Sequence, residues 1–188
     1  LAQALPEYPT PAAWLLLAPY LLGADDHASY RAAIMAMTTL ADAAFALALA
    51  RCAGPVGVLG WIGLTTALGS LPLLRFDMLP AAAAGLALLA IVQRRGALTG
   101  TLVALGTGLK VWPIVLAPLI LAGRRRAPAV ASFVVSGLVL VGGSVAIGGW
   151  DRLLSPLTHQ GERGLQIEAV AALAPMWQWA ARGPISIG

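Results

Sequence analysis

The chain has 188 residues, of which 59% are hydrophobic and only 11% are charged, against about 25% charged in an average soluble domain. Long apolar runs separated by short charged segments exclude a water-soluble globular domain. They predict an all-α, polytopic bundle of about six to eight transmembrane helices, including short or broken ones. The net charge is +4, but the basic residues stand singly or at the ends of apolar runs, so we expect membrane lipids rather than nucleic acid as partners. The single cysteine, Cys52, excludes an intramolecular disulfide and a thiolate metal cluster.

Seven apolar segments follow one another, and a membrane-crossing helix needs about 20 residues. The chain begins at Leu1 without a methionine or a signal peptide, so we interpret residues 1–188 as one partial transmembrane domain of a larger protein. Within it we expect an extracytoplasmic polar segment at 150–168. The apolar segments are Thr10–Leu22, Tyr30–Ala50, Pro55–Leu74, Asp77–Val92, Ala97–Ala122, Ala127–Gly149 and the short Ala169–Ala181.

The segment Ala97–Ala122 has basic residues at both of its ends. A single crossing would place one basic cluster outside, whereas two half-helices that meet near Lys110 keep both clusters inside. Gly106, Gly108 and Pro113 supply the flexibility and the break that such a turn needs. We therefore predict a pair of half-helices that opens toward the outer side at Lys110. The arginines that this arrangement places in the cytoplasm are Arg51, Arg94, Arg95 and Arg124–Arg126.

This topology collects the unusual polar residues at the outer side, as expected of an extracytoplasmic reaction site. They are Glu7, Asp25, Asp26, His27, Arg75, Asp77, Lys110, Asp151, His159, Arg163 and Glu168. The Asp25–His27 run is typical of a hydrated loop rather than a metal site, and no other spacing of ligands indicates a metal. Small residues at Gly57, Gly60, Gly63, Gly96 and Gly100 predict close helix packing.

Lys110 is the strongest candidate for a functional residue. An ammonium inside an apolar segment costs about 2.5–3.5 kcal/mol on insertion scales, so it normally faces a partner or a polar cavity. A broken helix at Lys110 would also expose backbone amides, and a phosphate is then the natural ligand. The alternative is a lysine that extends from a helix end toward the membrane surface.

Three other charged residues have two interpretations each. Asp42 lies in the middle of an apolar segment, where it is either a substrate-binding carboxylate or a structural partner of Lys110 or Arg75. Asp77 either caps the helix that follows it or belongs to the site. Arg75 either accompanies that cap or binds a phosphate, which a planar guanidinium holds through two hydrogen bonds.

The stretch from His159 to Glu168 is dense in side chains that form hydrogen bonds. In a helix, His159, Arg163 and Gln166 would share one face. Such a face suits sugar hydroxyls and phosphate oxygens. The alternative is a solvated loop at the membrane surface.

Three motifs, EYPTPAAWLLLAPY, RFDMLP and GLKVWPIVLAPLIL, occur in the order seen in membrane glycosyltransferases that use polyprenyl-phosphate sugars. The chain most resembles glycosyltransferase family 87, which includes polyprenol-phosphomannose-dependent mannosyltransferases, and is similar in motif order to glycosylphosphatidylinositol mannosyltransferase I. The HQGERGLQIE stretch is similar to a segment of the bacterial group.

The resemblance implies a multi-pass enzyme of the plasma membrane and cell envelope that transfers a sugar, as in a mannosyltransferase, from polyprenyl phosphate to a lipid or glycan acceptor on the extracytoplasmic side. The family's carboxylate base would lie upstream of Leu1. Lys110 would contact the phosphate with help from Arg75 and Arg163, and His159, Gln166 and Glu168 would bind sugar or acceptor. The sequence requires no cofactor and leaves a divalent metal open. The alternatives are a secondary transporter or lipid-carrier translocase, since broken helices occur there too, and a structural subunit.

Overall fold

Helices account for nearly all of the residues that the computed structural model describes, which are 5, 8–123, 125–161 and 173–182. The predicted all-α class is confirmed, because these residues form eight α-helices, one 3-10 helix and no strand. The helices are α1 (Thr10–Leu21), α2 (His27–Ala67), α3 (Leu71–Leu74), α4 (Met78–Val92), α5 (Gly96–Leu109), the 3-10 helix (Trp112–Leu116), α6 (Ala117–Ala122), α7 (Arg126–Gly161) and α8 (Leu173–Arg182).

Helix α2 is a hairpin of two arms that meet at Gly54. This glycine has φ +65° and ψ −165°, a conformation that L-residues with a side chain rarely adopt, and the next residue, Pro55, lacks the N–H that a continuous helix needs. The arms lie side by side, because the rings of Phe45 and Trp61 are 4.7 Å apart between centroids. The boundary predicted between Tyr30–Ala50 and Pro55–Leu74 therefore lies at a real turn.

Helix α4 packs along the first arm of α2 and runs in the same direction. A Cβ atom on Gly85 would lie 2.5 Å from the ring of Phe45, so this position needs a glycine. At the end of α4, the side chain of Gln93 donates to the sulfur of Cys52, which lies next to the α2 turn. The ends of α4 and of the first arm therefore meet at one end of the bundle.

Helix α5 returns from that end and stops at Leu109. Pro113 explains the stop, because a proline in a continuing helix would clash with the carbonyl four residues earlier. Gly106 allows the chain to fold back, since a Cβ atom there would lie 3.2 Å from Cβ of Pro113. The 3-10 helix and α6 then lead back to the start of α5, where a Cβ atom on Gly96 would lie 2.5 Å from the carbonyl oxygen of Arg125. The predicted turn near Lys110 is confirmed.

Helix α7 runs parallel to α5 in very close contact. A Cβ atom on Gly100 would lie 1.9 Å from the carbonyl oxygen of Ala129, so the two backbones touch. The predicted close packing is confirmed at Gly96 and Gly100, but it is wrong at Gly60 and Gly63, where an added Cβ atom would have no neighbour within 4 Å. At Gly149, φ +73° turns the chain, and α7 continues to Gly161 in a new direction.

Two helical stretches, α2 and Arg126–Asp151 of α7, are long and apolar enough to cross a membrane by length and composition. The other apolar helices, α1, α4, α5 and the Trp112–Ala122 pair, are shorter than that. The number of crossings and the membrane side of each helix end stay predictions.

Candidate active site

The three motifs that the sequence singled out meet at one end of the bundle. Tyr8 of the first motif packs edge-on against Phe76 of the second, with 6.1 Å between ring centroids. Asp77 of the second motif forms an ion pair with Lys110 of the third. Pro11 in the first motif lies against Gly108 in the third, 3.6 Å from the position that a Cβ atom would take. Segments distant in sequence thus build one site.

Lys110 ends α5 and carries the central charge of this site. Its backbone is extended, with φ −153° and ψ 138°, and its N–H still donates to the carbonyl of Gly106 at 2.9 Å. The side chains of Lys110 and Asp77 are 36% and 46% exposed, so a ligand can reach both. An ammonium has three N–H donors, and the pair with Asp77 leaves donors for an anion.

The helix end at Lys110 also affects the ammonium. The α5 helix presents its carbonyl end at Lys110, which stabilises the positive charge. Lys110 does lie at a helix end, as the alternative interpretation expected. Its side chain, however, forms an ion pair with Asp77. Asp77 stands at the start of α4, yet its side chain forms no capping hydrogen bond. Asp77 thus occupies the cap position that was predicted, but its side chain pairs with Lys110 instead of the helix amides.

Asp42 is not the partner of Lys110. Its Oδ1 accepts a hydrogen bond from the indole Nε1 of Trp61 at 2.6 Å, within the α2 hairpin. The expectation that Asp42 is a structural partner of Lys110 is wrong because Asp77 takes that position. The carboxylate of Asp42 instead joins the two arms of α2.

Arg75 and Asp77 border a cavity of about 310 Å³ between the second arm of α2 and the start of α4. Its other walls are apolar, with Trp61 and Leu68 on the α2 side. Arg75 is an exposed residue in this position. The two charged residues of the RFDMLP motif thus stand at the mouth of one apolar space.

A second and larger cavity of about 400 Å³ lies on the other side of the site, between α1, α5 and α7. It is lined mainly by apolar groups, and two threonines of its wall, Thr10 and Thr107, have buried hydroxyls without a hydrogen-bond partner. Thr10 is only 5% exposed. Buried hydroxyls normally have a partner, so these two are exceptions among the residues that line the cavity.

The sequence did not identify Thr10 and Thr107 as candidates. Thr10 stands inside the first motif, between Pro9 and Pro11, and Thr107 directly precedes the third motif, between two glycines. Their placement in or next to these motifs was the available signal. Nothing local could tell that α1 and α5 would turn both hydroxyls toward one cavity.

The C-terminal part of α7, beyond Gly149, covers the same cavity with Leu153, Leu154 and Pro156. His159 lies on this helix, which confirms a helical backbone at the start of the predicted polar stretch. The remaining predicted residues of the site, Arg163, Gln166 and Glu168, lie outside the described residues.

The Asp25–His27 run serves the start of α2. Asp26 caps the helix, because its Oδ1 accepts hydrogen bonds from the N–H groups of Ala28 and Ser29 at 2.7 and 3.0 Å. These bonds, with that of Ser29 first, lower the pKa of the exposed Asp26 carboxyl. In the described part of the chain, no three His, Cys, Asp or Glu side chains are grouped as a metal site requires.

Comparison with known proteins decides the family. The sequence model of glycosyltransferase family 87 matches residues 7–183. The chain belongs to glycosyltransferase family 87. As a family 87 chain it is a glycosyltransferase, and enzymes of this family are membrane proteins. No curated protein and no solved structure matches the chain.

Membership of family 87 favours a transferase over the transporter and structural alternatives. The family 87 match also spans all of the residues that build the site described above, from Tyr8 to Lys110 and His159. The Lys110–Asp77 pair and its two flanking cavities are therefore the candidate active site of this chain.

Proposed function

We propose that this chain is part of a multi-pass enzyme of the plasma membrane that transfers a sugar, most simply mannose, from a polyprenyl-phosphate donor to a lipid or glycan acceptor on the extracytoplasmic side. The observation that carries the proposal is the ion pair of Lys110 and Asp77 between two largely apolar cavities. A donor with a charged phosphate and a long hydrocarbon chain needs a cation next to an apolar surface.

The charge distribution supports the chosen side of the membrane. Lys110 and Asp77 lie at the end of the bundle opposite the basic residues Arg94 and Arg125, because α5, with 14 residues, spans about 21 Å. Basic clusters mark the cytoplasmic side of membrane proteins. The site then faces the extracytoplasmic side.

The reaction that fits this site is an inverting transfer. A general base removes the proton of an acceptor hydroxyl, whose oxygen forms a bond with the anomeric carbon as the bond to the phosphate oxygen breaks. Lys110 donates to the phosphate and stabilises the charge that grows on it as polyprenyl phosphate leaves. Arg75 and Arg163 assist with this charge, and His159, Gln166 and Glu168 bind the sugar or the acceptor.

Asp77 holds Lys110 in place before the donor arrives. The ion pair orients the ammonium, and the phosphate then shares the ammonium with the carboxylate. Thr10 and Thr107 offer hydroxyls from the wall of the larger cavity. These hydroxyls suit the polar part of a donor whose chain fills the apolar remainder.

Donor choice tests the proposal. Purified full-length protein is given polyprenyl-phosphate mannose, polyprenyl-phosphate glucose or GDP-mannose with a crude membrane-lipid acceptor, and labelled product is measured. We expect transfer from polyprenyl-phosphate mannose alone. Transfer from GDP-mannose would contradict the lipid-linked donor, and transfer from polyprenyl-phosphate glucose alone would replace mannose as the sugar.

A further inference from the structure

A third cavity lies at the opposite end of the bundle from the Lys110 site, where α4 ends and α5 and α7 begin. Its volume is about 200 Å³, and its polar wall includes the arginines Arg94, Arg95 and Arg125. Leu119 and Ile120 of α6 form part of its apolar wall. Three arginines and Thr99 thus line one space that is otherwise apolar.

These arginines have no acidic partner in the part of the chain that the structure describes. The described salt bridge is at the other end, between Lys110 and Asp77, and Asp42 is bound to Trp61 within α2. All three arginines are exposed, and an anion bound between like charges lowers their mutual repulsion. The cavity is therefore suited to an anionic ligand.

The backbone at Arg94 is a second and independent observation. Arg94 has φ +57°, in the left-handed region that favours glycine. It occupies the position after the α4 helix end where glycine is the usual residue, and the N–H of Arg95 donates back to the carbonyl of Ala90 at 2.8 Å, which closes the turn. An arginine at such a position costs stability, and strained residues of this kind occur at functional sites.

The rim of the cavity indicates what kind of anion binds. Val92 is 77% exposed and Leu119 is 43% exposed next to the arginines, so an apolar surface continues outward from the charged wall. A free phosphate ion makes no favourable contact with this apolar surface, whereas an acyl chain can cover it. Basic pockets between membrane helices on the cytoplasmic side bind the headgroups of acidic lipids.

We propose that this cavity binds one anionic phospholipid. Its headgroup phosphate contacts Arg95 and Arg125, and an acyl chain lies along Val92 and Leu119. The bound lipid neutralises the arginines where the ends of α4, α5 and α7 meet. The site is separate from the transferase site and does not depend on the reaction proposed above.

Lipid selectivity of the purified full-length protein tests this proposal. The protein is reconstituted with equal amounts of phosphatidylglycerol and phosphatidylcholine, and the lipids that remain bound are counted by native mass spectrometry. One arginine near a membrane surface favours an acidic lipid by about 1 kcal/mol, or about fivefold. We therefore expect clear enrichment of phosphatidylglycerol, and an equal content of both lipids in the wild type would overturn the proposal.

Variants locate the lipid. The double variant Arg95→Gln/Arg125→Gln should lose most of the enrichment. The control Arg51→Gln/Arg126→Gln removes the same charge from the same end but outside the cavity, and it should keep the enrichment. Equal losses in both double variants would mean that net charge alone attracts the lipid, which would overturn the cavity as the site.

Arg94→Gly serves as a second variant in case the double variant fails to fold. Glycine relieves the left-handed backbone, so we expect a higher melting temperature in neutral detergent together with weaker enrichment of phosphatidylglycerol. Enrichment in Arg94→Gly equal to that of the wild type would overturn the assignment of the lipid to this cavity. Inorganic phosphate is the third probe, and displacement of the lipid by millimolar phosphate would assign the site to a free anion.

Discussion

The indole N–H of Trp61 donates to the carboxylate of Asp42 across the α2 hairpin, with 2.6 Å between Nε1 and Oδ1. The two residues are on opposite arms and lie about halfway along the hairpin, so this bond fixes how the arms pack against each other. A hydrogen bond to a charged acceptor contributes about 1.5–3 kcal/mol, more than a neutral one. The most conspicuous carboxylate of the apolar segments therefore serves the fold.

Trp61→Phe tests this role of Asp42. The phenyl ring keeps most of the contact with Phe45, but Asp42 loses its donor, and we expect a loss of about 1–3 kcal/mol in stability. Transfer activity per folded molecule should change less than stability, because phenylalanine keeps an apolar wall in the cavity beside Asp77. The measurements are thermal unfolding in detergent and transfer rate on the same samples. Asp42→Asn keeps an oxygen acceptor for the indole, so its loss of stability should be smaller. A larger effect of Trp61→Phe on the transfer rate than on unfolding would contradict the structural role of Asp42.

Lys110→Ala should abolish most of the transfer while leaving the fold intact. Both partners of the ion pair are more than one-third exposed, and such pairs contribute only about 0–1 kcal/mol to stability. Loss of the phosphate contact costs about 2–4 kcal/mol at the transition state, or about 30- to 1000-fold in rate. Lys110→Arg should recover only part of the rate. It keeps the positive charge, but a guanidinium is longer than an ammonium and planar.

The charge-swapped variant Lys110→Asp/Asp77→Lys distinguishes the contact of Lys110 with the donor phosphate from its ion pair with Asp77. It restores an ion pair with the charges exchanged, so its melting temperature should return toward that of the wild type, while the rate should stay as low as in Lys110→Ala. Asp77→Asn should lose less rate than Lys110→Ala, because the ammonium remains. Near-normal transfer in the swapped variant would refute the phosphate contact of Lys110.

Thr10→Val should stabilise the protein and weaken donor binding. Its hydroxyl is buried without a partner, and such a group costs about 1–3 kcal/mol, which valine of equal shape removes. The Michaelis constant for the donor should rise several-fold with little change in kcat. Thr38→Val is the matched control: the Thr38 hydroxyl donates to the carbonyl of Leu73 at 2.9 Å and is fully buried, so this change should destabilise. A lower melting temperature for Thr10→Val would indicate a structural partner instead.

Gly100→Ala should disrupt the contact of α5 with α7. The added carbon would lie 1.9 Å from the carbonyl oxygen of Ala129, and the backbone must move to admit it. Overpacking of this kind costs about 1–3 kcal/mol or more. Gly142→Ala, with no atom within 4 Å of the added carbon, should instead stabilise α7 by up to about 1 kcal/mol. The measurement is the melting temperature of each variant, which should fall in Gly100→Ala and rise in Gly142→Ala. Equal shifts in the two variants would contradict the close approach of α5 and α7 at Gly100.

Cysteine labelling tests the topology. In a Cys52→Ser background, cysteines at Arg94 and Arg126 should react with an impermeant reagent from one face of the membrane, and a cysteine at Ser70 should react from the other. The reason is that α5 and α6 return to the end where α4 finished, so both basic positions lie together. Labelling of Arg94 and Arg126 positions from opposite faces would rule out the pair of half-helices.

Local signals explain what the sequence predicted correctly. The turn at Lys110 follows from Pro113 and Gly106, and the division of α2 follows from the Gly54–Pro55 pair, because glycine and proline act on their own backbone and that of near neighbours. The close packing at Gly100 likewise follows from the absence of a side chain. The family was recognisable from the order of three short motifs.

Local signals of this kind could not predict which side chains pair when the residues are far apart in the sequence. Asp42 and Asp77 are both acidic residues among apolar neighbours, and only the arrangement of the helices decides that Asp77 meets Lys110, 33 residues later. The orientation of Thr10 and Thr107 depends on the same arrangement. A hydroxyl without a partner is visible only once every neighbouring donor and acceptor has been placed.

The contact of Tyr8 with Phe76 also bears on the order in which this protein acquires its structure. The α4–α5 and α5–α6 turns join neighbouring elements and close short loops, whereas Tyr8 and Lys110 contact partners far along the chain. Ordering long loops costs more entropy, so local helix pairs form first and contacts between distant segments later. We therefore expect the contact of Tyr8 with Phe76 to form after the local helix pairs and to open before them.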